Sequence, residues 1–286
     1  MEDDFVKVVE GMIEEIFELD SFKELNEYRK SEENLKRCQP FEDLNEKYIL
    51  LQEKYANSFD DLHKDIEIRT HRREYSKGGT TLHRGFYSPS LTDLVTIGSS
   101  RGKLLKRPPK ESNFNYEYLF DEQNNLLCVY KYYDDYERNV PHETELFVRL
   151  DNKVLGLEFN SVRGLNVISE CRYENKKLAN YEMALCELHS LGKAGCTQIE
   201  VETREYKNDL LQVFCWYRYS PSIRLLTNEK YTFLRDEEGN LSAFTINDLG
   251  GYRPEGSCDD QTEYPLTKKA KTEFLEYSKY VGGNKV

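Results

Sequence analysis

Several features that mark well-known protein classes are missing from this sequence. It has no run of about 18 apolar residues, so no transmembrane helix is predicted. Its opening, MEDDFVKVVE, is acidic where a signal peptide is basic. The 7 cysteines are odd in number and include no C-x-x-C pair, whereas secreted disulfide frameworks are even and dense. We therefore expect a reduced, cytoplasmic compartment, with the thiols as small core side chains.

Motifs for catalysis, nucleotide binding and metal binding are also missing. The sequence contains no G-x-S-x-G, no P-loop and no G-x-G-x-x-G. Cys186-x-x-His189 followed by Cys196 is the nearest approach to a zinc set, but it lacks a second pair. Residues 142–145 (HETE) lack a second histidine four residues after the first, and they predict the start of an outward-facing polar strand. The sequence thus predicts no catalytic residue, no metal and no cofactor, and it favours a protein that is not an enzyme.

The charge of the chain is large and unevenly distributed. The formal net charge of −12 argues against general nucleic-acid binding, which needs clustered basic residues. Residues 1–75 carry 12 basic and 21 acidic side chains, 76–112 carry 7 and 2, and 113–286 carry 21 and 29. These ranges predict a helical section, a basic irregular connector and a β-rich domain. The basic run 101–110 either faces the acidic helices or meets an acidic partner.

The N-terminal section predicts two helices. A first apolar stripe follows the 3.6-residue helical period, and its members are Phe5, Val8, Val9, Met12, Ile13 and Ile16. After a polar break near residues 31–39, Pro40 suits a first helical turn. A second stripe then follows, made of Phe41, Leu44, Tyr48, Leu51, Tyr55, Phe59, Leu62 and Ile66. Together the stripes predict an antiparallel helical hairpin that packs on this protein's own sheet, or on a second copy or partner.

From residue 113 onward, alternation of apolar and polar residues predicts β-hairpins. Tyr116, Tyr118 and Phe120 alternate before a turn at 121–125, and Leu127, Val129 and Lys131 alternate after it. Further strands are predicted at 147–150, 154–159, 199–203, 211–219, 231–235 and 241–246. The segments YEYLFDEQNNLLCV (116–129) and YTFLRDEEGNLSAF (231–244) resemble each other in register. They reflect either a recurring turn, since Asp and Asn tolerate unusual backbone angles, or an internal duplication.

Two more helices complete the predicted fold. One apolar stripe ends at Gly192 and consists of Leu178, Tyr181, Leu185, Leu188 and Leu191. Another begins after Thr267 and consists of Ala270, Phe274, Tyr277 and Val281. The sequence therefore predicts an α+β protein. Its N-terminal helical hairpin packs on a mostly antiparallel hairpin or meander sheet, with one inserted helix and a C-terminal helix.

The candidate binding residues come from an aromatic strand and from the connector, and they are His83, Arg84, Trp216, Tyr217 and Tyr219. Trp and Tyr are favoured at interfaces, although such a strand is also typical of core on one face and wet tyrosine on the other. The connector residues either bind an anion or simply follow the helical section. If the protein is an enzyme, its site is expected at His83, Arg84 and the loop at 248–264.

The acidic composition, the α+β layout and the missing catalytic motifs resemble bacterial immunity proteins that neutralise polymorphic toxins. The Y-x-[YF]-L-x-D-E-x-[GN]-N-L turns at 116–126 and 231–241 are similar to hairpins of YD-repeat proteins, which often carry such toxins. The resemblance implies a cytoplasmic protein that binds a basic, nuclease-like toxin and blocks it with an acidic face. A homo-oligomeric scaffold assembled through the N-terminal helices is the alternative, followed by an enzyme.

Overall fold

The computed structural model describes residues 22–78, 87–92, 102–109, 114–132, 140–186, 195–249 and 263–266. Three helices lie in the first of these ranges: α1 (Lys23–Lys30), α2 (Glu32–Tyr55) and α3 (Phe59–Arg69). The strands are β1 (Arg72–Lys77), β2 (Lys103–Leu104), β3 (Tyr116–Phe120), β4 (Leu126–Lys131), β5 (Glu143–Leu150), β6 (Lys153–Asn160), β7 (Leu165–Glu174), β8 (Lys177–Cys186), β9 (Cys196–Lys207), β10 (Leu210–Ser220), β11 (Leu225–Arg235), β12 (Leu241–Asp248) and β13 (Glu263–Pro265).

All thirteen strands form one antiparallel sheet in the order β13-β12-β11-β10-β9-β8-β7-β6-β5-β4-β3-β1-β2. From β3 to β13 the spatial order follows the chain, so this part is a meander of consecutive hairpins. The predicted α+β class and hairpin meander are therefore confirmed. The sequence did not predict β1, which pairs with β3 on one side and β2 on the other.

The turn between β3 and β4 is closed by an aspartate side chain. Asp121 Oδ1 accepts a hydrogen bond from the backbone N–H of Asn125 at 2.8 Å, and Oδ2 accepts one from the side-chain amide of Asn125 at 2.9 Å. Asn124 between them has a φ of 63°, in the left-handed region that Asn tolerates. A β-bulge between Leu119 and Phe120 precedes the turn.

The same turn occurs twice more in the meander. Between β11 and β12, Asp236 Oδ1 accepts from the backbone N–H of Asn240 at 2.7 Å, and Gly239 has a φ of 81°. Between β6 and β7, Asn160 Oδ1 accepts from the N–H of Gly164 at 2.8 Å. The third turn has the sequence NSVRG, unlike the other two. This turn type therefore does not depend on the sequence shared by 116–129 and 231–244.

The predicted inserted helix is wrong for residues 178–186, which belong to β8. A β-bulge shifts the β7–β8 register so that Arg172 faces Asn180 but Tyr173 faces Leu178. Because of the extra residue in the bulge, the side chains of Leu178 and Tyr181 lie in the same apolar cluster. These two residues are three positions apart, a spacing that is typical of one side of a helix. The rest of that predicted helix (187–191) lies outside the described residues, as do the predicted helices at 5–16 and 267–281.

Helix α2 begins earlier than predicted. Residues 31–39 are not a polar break, because Ser31 caps the helix by accepting the N–H of Asn34 at 3.2 Å. Pro40 consequently lies inside the helix and not in its first turn. Asn34 and Cys38 are fully buried, and the Asn34 amide donates to the carbonyl of Arg224 at 2.8 Å. A count of apolar residues missed this first part because its buried side chains are an amide and a thiol.

The sheet has two differently covered faces. α2 and α3 pack on one of them, the helical face, against residues that include Leu146, Leu157 and Ile199. The opposite face, the strap face, is crossed by residues 87–92, which we call the strap. Leu91 of the strap is fully buried in an apolar cluster with Phe214.

The strap contacts strands at distant positions of the sheet. The Tyr87 ring lies 4.8 Å from the ring of Tyr118 in β3, and the N–H of Leu91 donates to Glu202 in β9 at 3.0 Å. β3 and β9 lie six strands apart in the sheet, so the strap contacts widely separated strands of the strap face.

Candidate protein-binding surface

One side of α2 is fixed to the sheet by aromatic packing. The ring of Phe41 lies 5.9 Å from the ring of Tyr217 and 5.8 Å from that of Tyr219. Tyr48, about two turns further along the same side of the helix, is fully buried. This packing determines which side of α2 faces outward.

Polar contacts fix the middle of α2 as well. Lys47 Nζ lies 2.6 Å from Glu182 and 3.1 Å from Glu170, two buried carboxylates on neighbouring strands. Tyr48 Oη donates to the same Glu182 at 3.1 Å. Burial raises the pKa of the Tyr48 phenol well above its ordinary value, so this hydroxyl remains a hydrogen-bond donor. α2 is thus held by matched charges as well as by apolar contact.

The outward side of α2 carries a stripe of acidic residues around an apolar one. Asp43, Glu46, Leu50 and Glu53 follow at intervals of three and four residues, so they share one side of the helix. We call these four residues the acidic stripe. Leu50 is 65% exposed and has Glu46 and Glu53 as its helical neighbours. A single exposed leucine is ordinary on a protein surface, so the carboxylates around Leu50 are what distinguish this side of the helix.

Helix α3 continues the acidic surface. α2 and α3 together expose nine carboxylates but only four cationic side chains. Some of these carboxylates are paired within the protein, such as Asp65 with Arg69 at 2.9 Å and Asp60 with Arg163 at 2.5 Å. Ile68 on α3 is 76% exposed, a second apolar side chain on this surface.

The structure separates the three predicted aromatic binding residues. Tyr217 and Tyr219 lie on the helical face against Phe41, and Tyr219 is buried. Trp216 lies on the strap face, where its Nε1 donates to Glu200 Oε2 at 3.2 Å and the guanidinium of Arg218 lies 4.5 Å from its ring. No single surface is formed by all three. His83, Arg84 and most of the loop 248–264 lie outside the described residues.

A histidine hydrogen bond that could suggest catalysis joins α3 to β4. His63 Nε2 lies 2.7 Å from Tyr130 Oη, and Tyr130 donates to Glu67 at 2.7 Å. Burial raises the pKa of the Tyr130 phenol, which keeps it protonated. Glu67 also accepts from Arg73 at 2.9 Å. A protonated tyrosine within such a network joins a helix to a sheet and is not an activated nucleophile.

The cysteines singled out by the sequence face each other across two strands. Cys186 at the end of β8 is opposite Cys196 at the start of β9, and both thiols are buried. The hydrogen bond with Cys196 and burial raise the pKa of the Cys186 thiol, which disfavours the reactive thiolate. His189 lies outside the described residues. Within the described ranges, no group of three or more His, Cys, Asp or Glu side chains is arranged to hold a metal ion.

The strap face contains buried charges that the sequence did not reveal. Residues 143–145 do not form an outward-facing polar strand, since Glu145 is fully buried. Next to it, Lys131 Nζ binds Glu158 at 2.6 Å and Glu143 at 2.9 Å. The sequence did contain a signal for the burial of Lys131, because alternation in β4 placed it on the same side of the strand as Val129. Its partners on β5 and β6 depend on strand pairing and were not predictable.

Comparison with protein-family models and with curated proteins finds no match to this chain. Among the described residues, no helix combines the length and apolar character needed to cross a membrane.

Proposed function

We propose that this protein is a protein-binding module that captures a basic partner through the acidic stripe on α2. The observation that carries the proposal is the row of exposed carboxylates around Leu50, on a helix whose opposite side is fixed to the sheet. An acidic surface accelerates the encounter with a basic protein, and an apolar side chain at its centre supplies contact area that is dehydrated on binding.

The resemblance of the sequence to immunity proteins indicates the class of partner that we propose. A nuclease-like toxin has a basic surface for its nucleic-acid substrate, because phosphate binding needs clustered Lys and Arg. An acidic helix that binds this surface occludes it. The finer proposal is therefore an immunity protein that blocks such a toxin.

A homo-oligomer formed through the helices is less consistent with this surface. Two copies that pair their acidic stripes bring like charges together, which disfavours association. A mass that rises with protein concentration in light scattering, unchanged by reversal of the stripe charges, would favour the scaffold instead.

The test compares two triple variants with the same change in net charge. The first is Asp43→Lys/Glu46→Lys/Glu53→Lys in the stripe. The control is Glu122→Lys/Glu237→Lys/Glu238→Lys in exposed positions of two hairpin turns. Each tagged protein is used to capture partners from native lysate, and association rates of the recovered partner are then measured at low and at high salt.

The proposal predicts that the control retains a basic partner and that the stripe variant loses it or captures it about tenfold more slowly at low salt. The difference should shrink as salt screens the charges. Equal association rates for the two variants would rule out the acidic stripe as the binding surface. Inhibition of a recovered nuclease by the wild-type protein alone would support the immunity role.

A further inference from the structure

The strap is bound to the strap face through its main chain. Arg204 Nη2 donates a hydrogen bond to the carbonyl oxygen of Pro89 at 2.6 Å, and Glu202 Oε2 accepts one from the N–H of Leu91 at 3.0 Å. β9 therefore presents a donor and an acceptor to the main chain on the two sides of Ser90.

The two charged residues that make these contacts are buried and held together. Glu202 is fully buried, Arg204 is 6% exposed, and Arg204 Nη2 lies 2.7 Å from Glu202 Oε2. Glu202 Oε1 also accepts from the hydroxyls of Ser90 at 2.5 Å and Thr92 at 2.9 Å. Hydrogen bonds to a buried carboxylate are among the stronger ones in proteins. This carboxylate binds three consecutive residues of the strap.

Side chains of the strap occupy two apolar positions of the same face. Leu91 is fully buried in a cluster with Phe214 and Tyr231. Four residues earlier, the Tyr87 ring packs edge-on against Tyr118 and Phe120, at 4.8 and 5.4 Å. Main-chain contacts give such an arrangement affinity, and the two side-chain positions give it selectivity.

The strap is not itself a strand of the sheet, so the sheet does not need it for strand pairing. It belongs to a segment that leaves the sheet after β1 and returns at β2, which pairs with β1. The ends of this segment meet, since a Cβ on Gly102 would lie 2.6 Å from the carbonyl oxygen of Gly78. The segment therefore leaves and returns at one edge of the sheet, while its middle is bound at β9.

We propose that Glu202, Arg204 and the positions filled by Leu91 and Tyr87 form a binding site for a short peptide, which the strap occupies as an exchangeable segment of the same chain. The ligand class is a short peptide with an apolar side chain between two hydroxyl residues. A tethered segment has an effective concentration in the millimolar range. A peptide from another protein therefore binds only when the strap leaves.

The test uses Leu91→Asp in the full chain. A carboxylate in the apolar position next to Glu202 expels the strap, while the residues of every strand remain unchanged. The probe is the capped hexapeptide YSPSLT, which corresponds to residues 87–92. We expect it to bind Leu91→Asp at least about tenfold more tightly than wild type in NMR titrations, because the strap no longer competes.

Two controls examine the main-chain contacts. In the Leu91→Asp background, Glu202→Gln leaves a single acceptor oxygen and should weaken binding of the probe by about tenfold or more. A probe with N-methyl-leucine keeps the side chain but lacks the N–H, and it should lose a similar factor. A folded Leu91→Asp protein that does not bind the probe, or that binds both probes equally, would overturn the proposal.

Hydrogen exchange of the wild-type protein provides a second measurement if Leu91→Asp does not fold. An exchangeable strap predicts that the Leu91 amide exchanges faster than amides of β9. Ser90→Ala/Thr92→Ala should accelerate exchange at Leu91 by about tenfold and leave β9 unchanged. Exchange of Leu91 together with β9 in both proteins would show that the strap is a permanent part of the core, and it would refute the proposal.

Discussion

At the scale of single residues, charges inside this protein have defined partners. Burial alone lowers the pKa of Lys131, but the carboxylates of Glu158 and Glu143 outweigh it, and the pKa is raised. Lys131 therefore keeps its charge in the interior of the strap face. Removing one partner of such a buried group is more disruptive than removing an exposed pair, since the remaining charge stays buried.

Glu200 is a residue of this kind whose titration is directly observable. Burial raises its pKa, an effect that outweighs the opposing influence of Arg218 and of the hydrogen bond from Trp216. Trp216 is the single tryptophan, and its Nε1 donates to Glu200. Its fluorescence should therefore show a transition with a midpoint above the ordinary glutamate value of about 4.3. In Glu200→Gln this transition should be missing. A wild-type midpoint below 4.3 would contradict the assignment.

At the scale of elements, hairpins were predictable and the β7–β8 register was not. Tyr116, Tyr118 and Phe120 alternate and lead into residues that favour a turn, so all the information for this hairpin is local. The strand β8 was predicted as a helix because its bulge gives Leu178 and Tyr181 a spacing of three. Only the neighbouring strand shows that an extra residue is present.

The recurring turn predicts different effects of two substitutions at equivalent positions. Gly239, with φ of 81°, and Asn124, with φ of 63°, occupy the left-handed position of their turns. Gly239→Ala should destabilise the protein by about 1 kcal/mol, because alanine is strained in this conformation. Asn124→Gly should change the free energy of unfolding by less than about 0.5 kcal/mol. Urea unfolding measures both, and equal losses would argue against a common turn.

At the scale of the whole molecule, the helices depend on buried carboxylates of the helical face. Glu170 is bound by Lys153 at 3.0 Å, Arg172 at 3.0 Å and Lys47 at 3.1 Å, although its side chain is only 4% exposed. Burial alone raises its pKa, but these cations together outweigh burial and lower it. The link between α2 and the sheet therefore depends on an ionised Glu170.

This ion-pair network predicts how stability depends on pH. A carboxyl with a lowered folded-state pKa stabilises the protein above its unfolded value, about 4.3, and loses this contribution as pH falls through the folded value. Urea unfolding at pH 7 and pH 3.5 should show a smaller acid loss for Glu170→Gln than for wild type. Glu174→Gln, an exposed position of the same strand, is the control. Identical pH profiles for both variants would contradict the role of Glu170.

The sequence by itself determined the β3–β4, β5–β6 and β11–β12 hairpins, the buried side of α2 from Phe41 onward and the acidic character of this helix, because alternation, helical period and turn residues act within a few positions of the chain. Only the tertiary structure decided that Trp216 and Tyr217 lie on opposite faces and that Glu202 binds the strap at Leu91. These relations join residues that are distant in the chain or on opposite sides of a sheet. They depend on strand order and strand pairing, which no local pattern encodes.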